Sequence, residues 1–373
     1  MRVLFVNSMR TFGGGERWLL EIAVGLAARA HTVALAARAG SDLAERARAA
    51  GIEVREFAMR SDFDPPTVVR LSRWIRRLSP GVVSVHVQRA VRLAAAAVPR
   101  SGPAVIERRG LLLPVKRSRL NRWVYGQRVK RVVANCRAIA ESLVESGLVR
   151  SDRVSIIPNG IALDRTAVAR DETARVRKEF AADPDTRLIA VVGRLVPDKG
   201  HRDALLAFSV LHRRVPTARL LVVGSGKLAG ELRATVASMG LDRFVVFAGH
   251  RDDVPAVMSA ADVVLVSSLR EGMPHVVLEA MAAGVPIAAT AVAGIPEMIR
   301  DRVEGLLVPA SDPAAAAAAV ERILNEPGLG ERLAGNARDR VEREFALEAM
   351  IDRFEELFVS EAAGKDVKGS AAP

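Results

Sequence analysis

Cysteine is almost missing from this sequence: Cys136 is the only one in 373 residues. No intrachain disulfide can form, which is consistent with a reducing compartment. Aromatic residues make up 4%, and no stacking-residue motif accompanies the basic ones, so no nucleic acid is expected as partner. No run of about 18 residues stays apolar and uncharged, and the alanine-rich stretches near 94–97 and 314–319 are too short to cross a bilayer. Met1 leads straight into the apolar residues 3–6, which read as a strand and not as a leader. The expected location is therefore the cytoplasm, with peripheral contact at the cytoplasmic face of the membrane. His201, His212 and His250 lack metal-ligand spacing. Asp183, Pro184 and Asp185 precede a strand and read as a linker turn, so no metal is expected.

Positive charge is plentiful. The chain carries 55 Lys and Arg against 43 Asp and Glu, a formal charge of +12. Between Glu107 and Arg137, ten basic residues stand with one acidic residue: Arg108, Arg109, Lys116, Arg117, Arg119, Arg122, Arg128, Lys130, Arg131 and Arg137. Such a field suits an anionic membrane surface or a phosphorylated acceptor, and it equally describes a solvated face. Region 108–131 is the expected place of reversible membrane contact. Its apolar neighbours Leu120, Trp123 and Val124 either touch the bilayer or face the core.

With 50% hydrophobic residues, a chain of this length can build two cores. Short apolar strands alternate with longer amphipathic segments, the pattern of parallel sheets covered by helices. In the first half strands are expected at 2–7, 32–37, 53–57, 82–86, 104–107 and 131–135. Helices are expected at 15–29, 41–50, 66–78, 118–130 and 138–146. A strand over 154–157 ends at Pro158, Asn159, Gly160, and a second series follows. Its strands fall at 187–193, 219–223, 244–248, 262–267 and 286–289, its helices at 201–215, 228–239, 253–260, 275–283 and 313–325. Residues 331–360 read as amphipathic helix, and 361–373 hold too little apolar material to pack.

Several motifs sit where strands pass into helices. Gly13, Gly14, Gly15 and Glu16 follow the first strand, where glycines permit close approach and a helix start attracts anions, or where they make a tight turn. The spacing is not the dinucleotide fingerprint. Gly193 and Arg194 end the strand at 187–193, with Lys199 and Gly200 shortly after. A rigid guanidinium fork and a mobile ammonium make a plausible pyrophosphate clamp, although surface residues also adopt this spacing. Gly224, Ser225 and Gly226 end the next strand. After 262–267 come Glu271, Gly272, Met273, Pro274 and His275, then a helix carrying Glu279. Its N-terminal amides could meet phosphate, and both glutamates could accept from sugar and ribose hydroxyls or serve in ion pairs and caps.

In this order the motifs resemble glycosyltransferase family 4, a retaining family of GT-B fold. The resemblance rests on residues 13–16, His86, residues 157–161, Gly193 to Gly200, Gly224 to Gly226, and Glu271 to Glu279 with seven residues between the glutamates. It continues through 279–286 and 293–297, so it spans nearly the whole chain. It implies an α/β fold of two Rossmann-like domains facing each other across a cleft. Residues 1–165 would be the acceptor domain, 166–345 the donor domain, 346–360 a helix returning to the N-terminal domain and 361–373 a disordered tail.

The resemblance implies a nucleotide-sugar donor, UDP-linked by preference and GDP-linked as alternative, and no cofactor. Arg194 and Lys199 would hold the diphosphate, and Glu279 the ribose. Glu271 would approach the transferred sugar, helped by the backbone of Met273, Pro274 and His275. Gly14 and Gly15 would lie near the phosphates or acceptor, with Gly193, Gly224 and Gly226 lining the donor site and His86 beside the reacting sugar. Transfer to a hydroxyl of a saccharide, a lipid-linked saccharide or an anionic small molecule, in cell-envelope polysaccharide or glycolipid synthesis, is the implied activity. A non-catalytic sugar-nucleotide-binding protein and a GT-B epimerase are the alternatives. One departure stands out: relatives carry a histidine before a glycine after the fifth strand, where this chain has Arg109 before Gly110. Arg109 either reads an anionic acceptor or pairs with Glu107.

Overall fold

The computed structural model describes residues 1–163, 168–180 and 182–364. The expected boundary at 165–166 lies outside them. The chain divides into two compact units, one of Met1–Asn159 joined by the residues from Glu348 onward, the other of Gly160–Leu347.

The first unit contains β1 (Arg2–Asn7), β2 (Thr32–Arg38), β3 (Glu53–Phe57), β4 (Val82–His86), β5 (Ala104–Arg109), β6 (Arg131–Ala134) and β7 (Val154–Ile156). They form one sheet in the order β3-β2-β1-β4-β5-β6-β7, parallel throughout. Its helices are α1 (Gly14–Ala28), α2 (Asp42–Ala49), α3 (Pro65–Leu78), α4 (Gln88–Ala97), α5 (Arg119–Trp123) and α6 (Arg137–Glu145). β1 is buried from Val3 to Asn7 because helices cover both faces of its sheet, hence its unbroken apolar run.

The second unit begins with α7 (Arg170–Glu179) and β8 (Arg187–Val192), then α8 (His201–His212), β9 (Ala218–Val223), α9 (Ala229–Ser238), β10 (Val245–Gly249) and α10 (Val254–Ala260). There follow β11 (Val263–Val266), α11 (His275–Ala282), β12 (Ile287–Thr290), α12 (Ile295–Met298), β13 (Leu306–Val308), α13 (Pro313–Asn325) and α14 (Leu329–Glu344). The sheet runs β10-β9-β8-β11-β12-β13, again parallel. Each sheet reverses its order once, between β1 and β4 and between β8 and β11. Ligands of open α/β sheets bind at such points, outside the carboxyl ends of the strands.

The last helix, α15 (Leu347–Ala362), is counted with the first unit from Glu348 onward. Phe354 packs on Trp18 at 5.1 Å between ring centroids and Phe358 on Phe5 at 6.3 Å. Ile351 lies against Gly25 of α1, where any side chain would collide with it. On the rim Arg29 pairs with Glu348, Asp352 and Glu355 at 2.9, 2.6 and 2.7 Å.

Local pattern misled at several points. The expected helix at 118–130 is α5 followed by one π-helical turn, Val124–Arg128. The stretch 331–360 breaks into α14 and α15, because Phe345 O accepts from Ile161 N and Leu347 N donates to Ile161 O instead of continuing a helical ladder. The tail expected from Glu361 does not begin there. Glu361 belongs to α15 and is buried, ion-paired with Arg131 and, at 3.0 Å, with Lys130. A partner that distant in sequence leaves no trace in local composition. Residues 365–373 lie outside the described residues.

The basic stretch 108–131 is also less of a surface than its composition suggests. Arg108 bonds Asn159, Arg109 pairs with Glu107, and Arg128 donates to Ala95 O and Val98 O. Lys130 and Arg131 hold Glu361. Lys116, Arg117, Arg119 and Arg122 remain exposed, whereas Val124 is buried and Trp123 half-buried beneath Arg128.

Candidate active site

In the second unit the loops after β8 and β11, on either side of the order reversal, are tied together. Leu269 N donates to Asp198 O at 2.8 Å, Arg270 N to the same oxygen at 3.2 Å, and Ser267 Oγ to Lys199 O at 3.2 Å. Thr290 Oγ1, at the end of β12, donates to Ser268 O at 2.6 Å, and Gly294 N to Gly272 O at 3.0 Å.

This lacing brings Lys199 to Glu271, with Nζ 2.5 Å from Oε1. Ser268 Oγ donates to the same carboxylate oxygen at 2.7 Å. Glu271 is 5% exposed, so its charge is matched by an ammonium and a hydroxyl and not by water. The stem of Lys199 passes 3.7 Å from the position a Cβ would take on Gly193. Arg194 stands apart: its side chain is exposed and makes no ion pair among the described residues. Its backbone is held by His201, whose Nε2 donates to Arg194 O at 3.0 Å. Burial lowers the His201 pKa, against the pull of that bond.

Glycines set the close approaches. A side chain on Gly224, at φ +135°, would run into Gly193 O; one on Gly226 would meet Leu195 O, and one on Gly200, at φ +62°, Ser267 O. Gly193 N donates to Val223 O at 2.9 Å and Leu195 N to Ser225 O at 2.9 Å, so the ends of β8 and β9 form one rigid edge.

The helix after Glu271 begins at His275 with Pro274 as N-cap. Pro274 has no N–H and cannot donate, so the amides able to face an anion there are those of Met273, His275 and the following turn. Met273 is buried and His275 half-buried. Glu279 is 9% exposed and lies one turn beyond His275, on the same helical face.

In the first unit Gly14 and Gly15 open α1. Glu16 caps it, accepting from Gly13 N at 3.2 Å and from Asn7 Nδ2 at 3.0 Å. His86 ends β4, across the order reversal from β1, and its Nε2 fills the space a side chain on Gly15 would occupy. Its Nδ1 lies 3.1 Å from Arg108 O. A carbonyl only accepts, so Nδ1 carries the proton and Nε2 presents a lone pair. Burial, followed by the nearby Arg108 charge, lowers the His86 pKa to about 3.

Arg108 is itself buried, its guanidinium 4.6 Å over the ring of Trp18 and 2.6 Å from Asn159 Oδ1. Burial lowers its pKa to about 10, with Glu16 opposing. Trp18 lies 6.0 Å from the His86 ring. Arg109 donates to Glu107 Oε1 at 3.4 Å, Tyr125 OH at 3.2 Å and Leu113 O at 2.9 Å. Of its two expected roles, the structure displays the pairing with Glu107. Burial raises the Glu107 pKa against the pull of Arg109.

The sequence motifs missed Ser268, Thr290 and His201, which build the loop around Lys199 and Glu271. Single hydroxyls and a lone histidine carry no local signal. The motifs also missed Arg108 and Trp18, which only the fold carries to His86. Among the described residues, no group of three His, Cys, Asp or Glu side chains gathers as a metal site would require.

Residues 12–165 match the family described as Glycosyltransferase Family 4 and residues 172–340 the one described as Glycosyl transferases group 1. Over 188 residues the chain is 36% identical to a 2-deoxystreptamine glucosyltransferase of Streptomyces kanamyceticus, an alignment covering 49% of this chain and 48% of the relative. Over 220 residues it is 36% identical to a D-inositol 3-phosphate glycosyltransferase of Actinosynnema mirum, covering 56% and 52%. The chain thus spans about half the length of the curated relatives it matches. Its fold is that of HepE from Anabaena, solved in complex with UDP-glucose, with a TM-score of 0.85 at 20% identity over 96% of this chain and 100% of that one.

Proposed function

Because the chain belongs with the GT-B glycosyltransferases related to group 1 and family 4, we propose that it transfers a sugar, with retention, from a UDP-sugar to an acceptor hydroxyl. The observation that carries this is the Lys199–Glu271 pair, with Ser268, at the order reversal of the second sheet. An exposed Arg194 stands on the adjoining loop. A glucosyltransferase relative and a UDP-glucose complex of the same fold favour UDP-glucose over GDP-linked donors.

The acceptor oxygen attacks the anomeric carbon as the bond from that carbon to the diphosphate breaks. The diphosphate leaves with the electron pair, and one of its oxygens takes the acceptor proton on the same face. Arg194 and Lys199 stabilise the charge growing on the leaving diphosphate. Lys199 exchanges its contact with Glu271 for one with phosphate, and the Glu271 carboxylate then accepts from sugar hydroxyls, as Glu279 does from the ribose. Met273 and His275 amides, and the close backbones of Gly193, Gly224 and Gly226, complete the donor pocket. Gly14 and Gly15 let the acceptor side approach, and His86 Nε2 accepts from a substrate hydroxyl.

The acceptor is a saccharide, a lipid-linked saccharide or an anionic small molecule of cell-envelope synthesis. Within 108–131, Lys116, Arg117, Arg119 and Arg122 are the groups able to meet it or an anionic membrane.

Calorimetry with UDP, GDP, ADP and their common sugars, followed by product analysis with isotopically labelled donor, tests the proposal. UDP and UDP-glucose should bind best, and labelled sugar should appear on an acceptor. Label recovered only as an epimerised nucleotide sugar, or donor bound and never turned over, would replace transfer by one of the two alternatives.

A further inference from the structure

Three arginines gather at the carboxyl edge of the first sheet, outside the stretch that sequence composition singled out. The strand register sets Ala37 of β2, Asn7 of β1 and His86 of β4 in one row across three adjacent strands. Arg38 stands one residue beyond that row, Arg10 three beyond it in the loop after β1, and Arg89 three beyond it in the first turn of α4. Neighbouring strands lie about 4.8 Å apart, so the three strand ends span about 10 Å. The backbone beneath the arginines is fixed. Met9 N donates to Asn7 Oδ1 at 2.7 Å, and Asp42 N to Arg10 O at 3.1 Å. Between His86 and α4 the chain passes through Val87 at φ +69°, a conformation that β-branched residues avoid and that persists only where the surroundings impose it.

Few carboxylates answer these charges. Asp62 pairs with Arg92 and, at 3.5 Å, with Arg89, whose Nη1 also donates to Met59 O at 3.3 Å. Arg10 and Arg38 form no ion pair and no side-chain hydrogen bond among the described residues, and Arg38 Nε is shut off from water. Burial, then the charges of Arg10 and Arg89, lower the Arg38 pKa, so these guanidiniums stand close enough to repel one another. Other acids near the edge are occupied: Glu56 by Arg48 and Gly40 N, and Asp42 by Phe12 N at 3.1 Å. Like charges held together are unfavourable until an anion joins them.

We propose that Arg10, Arg38 and Arg89 form a subsite for the phosphate monoester of a small phosphorylated acceptor. The inference rests on the transferase reading, in which His86 Nε2, on the same edge, meets a hydroxyl of that acceptor. The guanidiniums then hold the anionic end of the molecule whose hydroxyl end faces His86. Arg10 and Arg38 lack a counter-charge, and a phosphate monoester carries about −1.5 to −2 at pH 7, whereas a carboxylate supplies a single charge. Forked guanidinium donors also match phosphate oxygens in pairs. Of the three acceptor classes, the subsite selects the anionic small molecule.

Calorimetric titration of inorganic phosphate, and of a panel of hexose monophosphates, into the full chain saturated with UDP tests it, with ionic strength held by chloride. UDP fills the proposed donor site, so the remaining phosphate binding reports on the first unit. R38Q should weaken inorganic phosphate about 30-fold and R10Q several-fold. R38Q should melt no lower than the wild type, because a repelling charge has gone. R73Q, which removes an exposed charge on α3, should leave the titration unchanged. At least one hexose monophosphate should bind more tightly than inorganic phosphate, and unphosphorylated hexoses should not displace it. Failure of UDP to bind would count against the transferase reading, and the phosphate titration of the free chain would still decide the subsite. Phosphate bound no better than chloride, unchanged phosphate affinity in R38Q, or a loss confined to an R117Q/R119Q/R122Q variant would each overturn the inference. Inorganic phosphate bound as tightly as every hexose monophosphate would make this a site for the free ion and overturn the acceptor assignment.

Discussion

The ammonium of Lys199 and the carboxylate of Glu271 neutralise each other in a loop with little water, and the exposed guanidinium of Arg194 is available to a ligand. Replacing either cation with Ala should weaken UDP relative to uridine by about 2 kcal/mol, roughly 30-fold. The two variants should differ in stability. Arg194→Ala should melt like the wild type, whereas Lys199→Ala leaves Glu271 buried without its counter-charge and should melt lower. Glu271→Gln should keep the fold and lose transfer; normal specific activity with a lowered melting temperature would make the glutamate structural. At His86 the consequence is one of pH. Its pKa in the fold, about 3, lies below the ordinary value of 6.5. Between those values the unfolded chain binds the proton and the folded one does not, so stability falls as pH drops from about 6.5 toward 3. His86→Gln should flatten that slope in chemical denaturation at stepped pH. An unchanged slope would mean that His86 is free to protonate in the fold.

Among the elements, α15 does the most for a site it does not enter. Phe354 supports Trp18, which lies under the Arg108 guanidinium and beside His86. Phe354→Ala should cost about 3–5 kcal/mol and, if α15 orients His86 through Trp18, should lower transfer in the fraction that stays folded. Nucleotide affinity, proposed to reside in the second unit, should not change. Lower UDP affinity instead would disconnect α15 from His86. At the edge of β8, Gly200 cannot take a side chain without striking Ser267 O. Gly200→Ala adds that clash to the strain of φ +62° and should destabilise by about 2 kcal/mol or more. UDP affinity should fall with it, because the Lys199 loop is part of the same turn; thermal melts with and without UDP measure both.

On the scale of the whole molecule, the second unit is continuous in the chain, whereas the first is completed from the far end. A chain ended at Leu347 keeps every residue of the second unit and loses α15. Scanning calorimetry should find one transition still raised by UDP and the first unit's transition lowered or gone. Loss of UDP binding together with both transitions would mean that neither unit is stable without α15. The alternation of strands and helices, the parallel class of both sheets and the order of the glycine, arginine, lysine and glutamate motifs were legible in the sequence, because short apolar runs, period-3.6 patterns and strand-to-helix turns are local. The elements that escaped were short or poor in large apolar side chains: α4, whose buried face is mostly alanine; α7, with Val176 alone buried; α12, four residues long; and β13, three residues long. The sequence by itself determined the α/β class, the two-unit plan and the order of the motifs from which the donor site is proposed. Only the tertiary structure decided that Lys199 answers Glu271, that half of a basic stretch is spent on internal partners, and that Glu361 ends a helix and not a tail. Those outcomes depend on contacts between residues up to 231 positions apart, whose energies come from burial and pairing that no window of sequence contains.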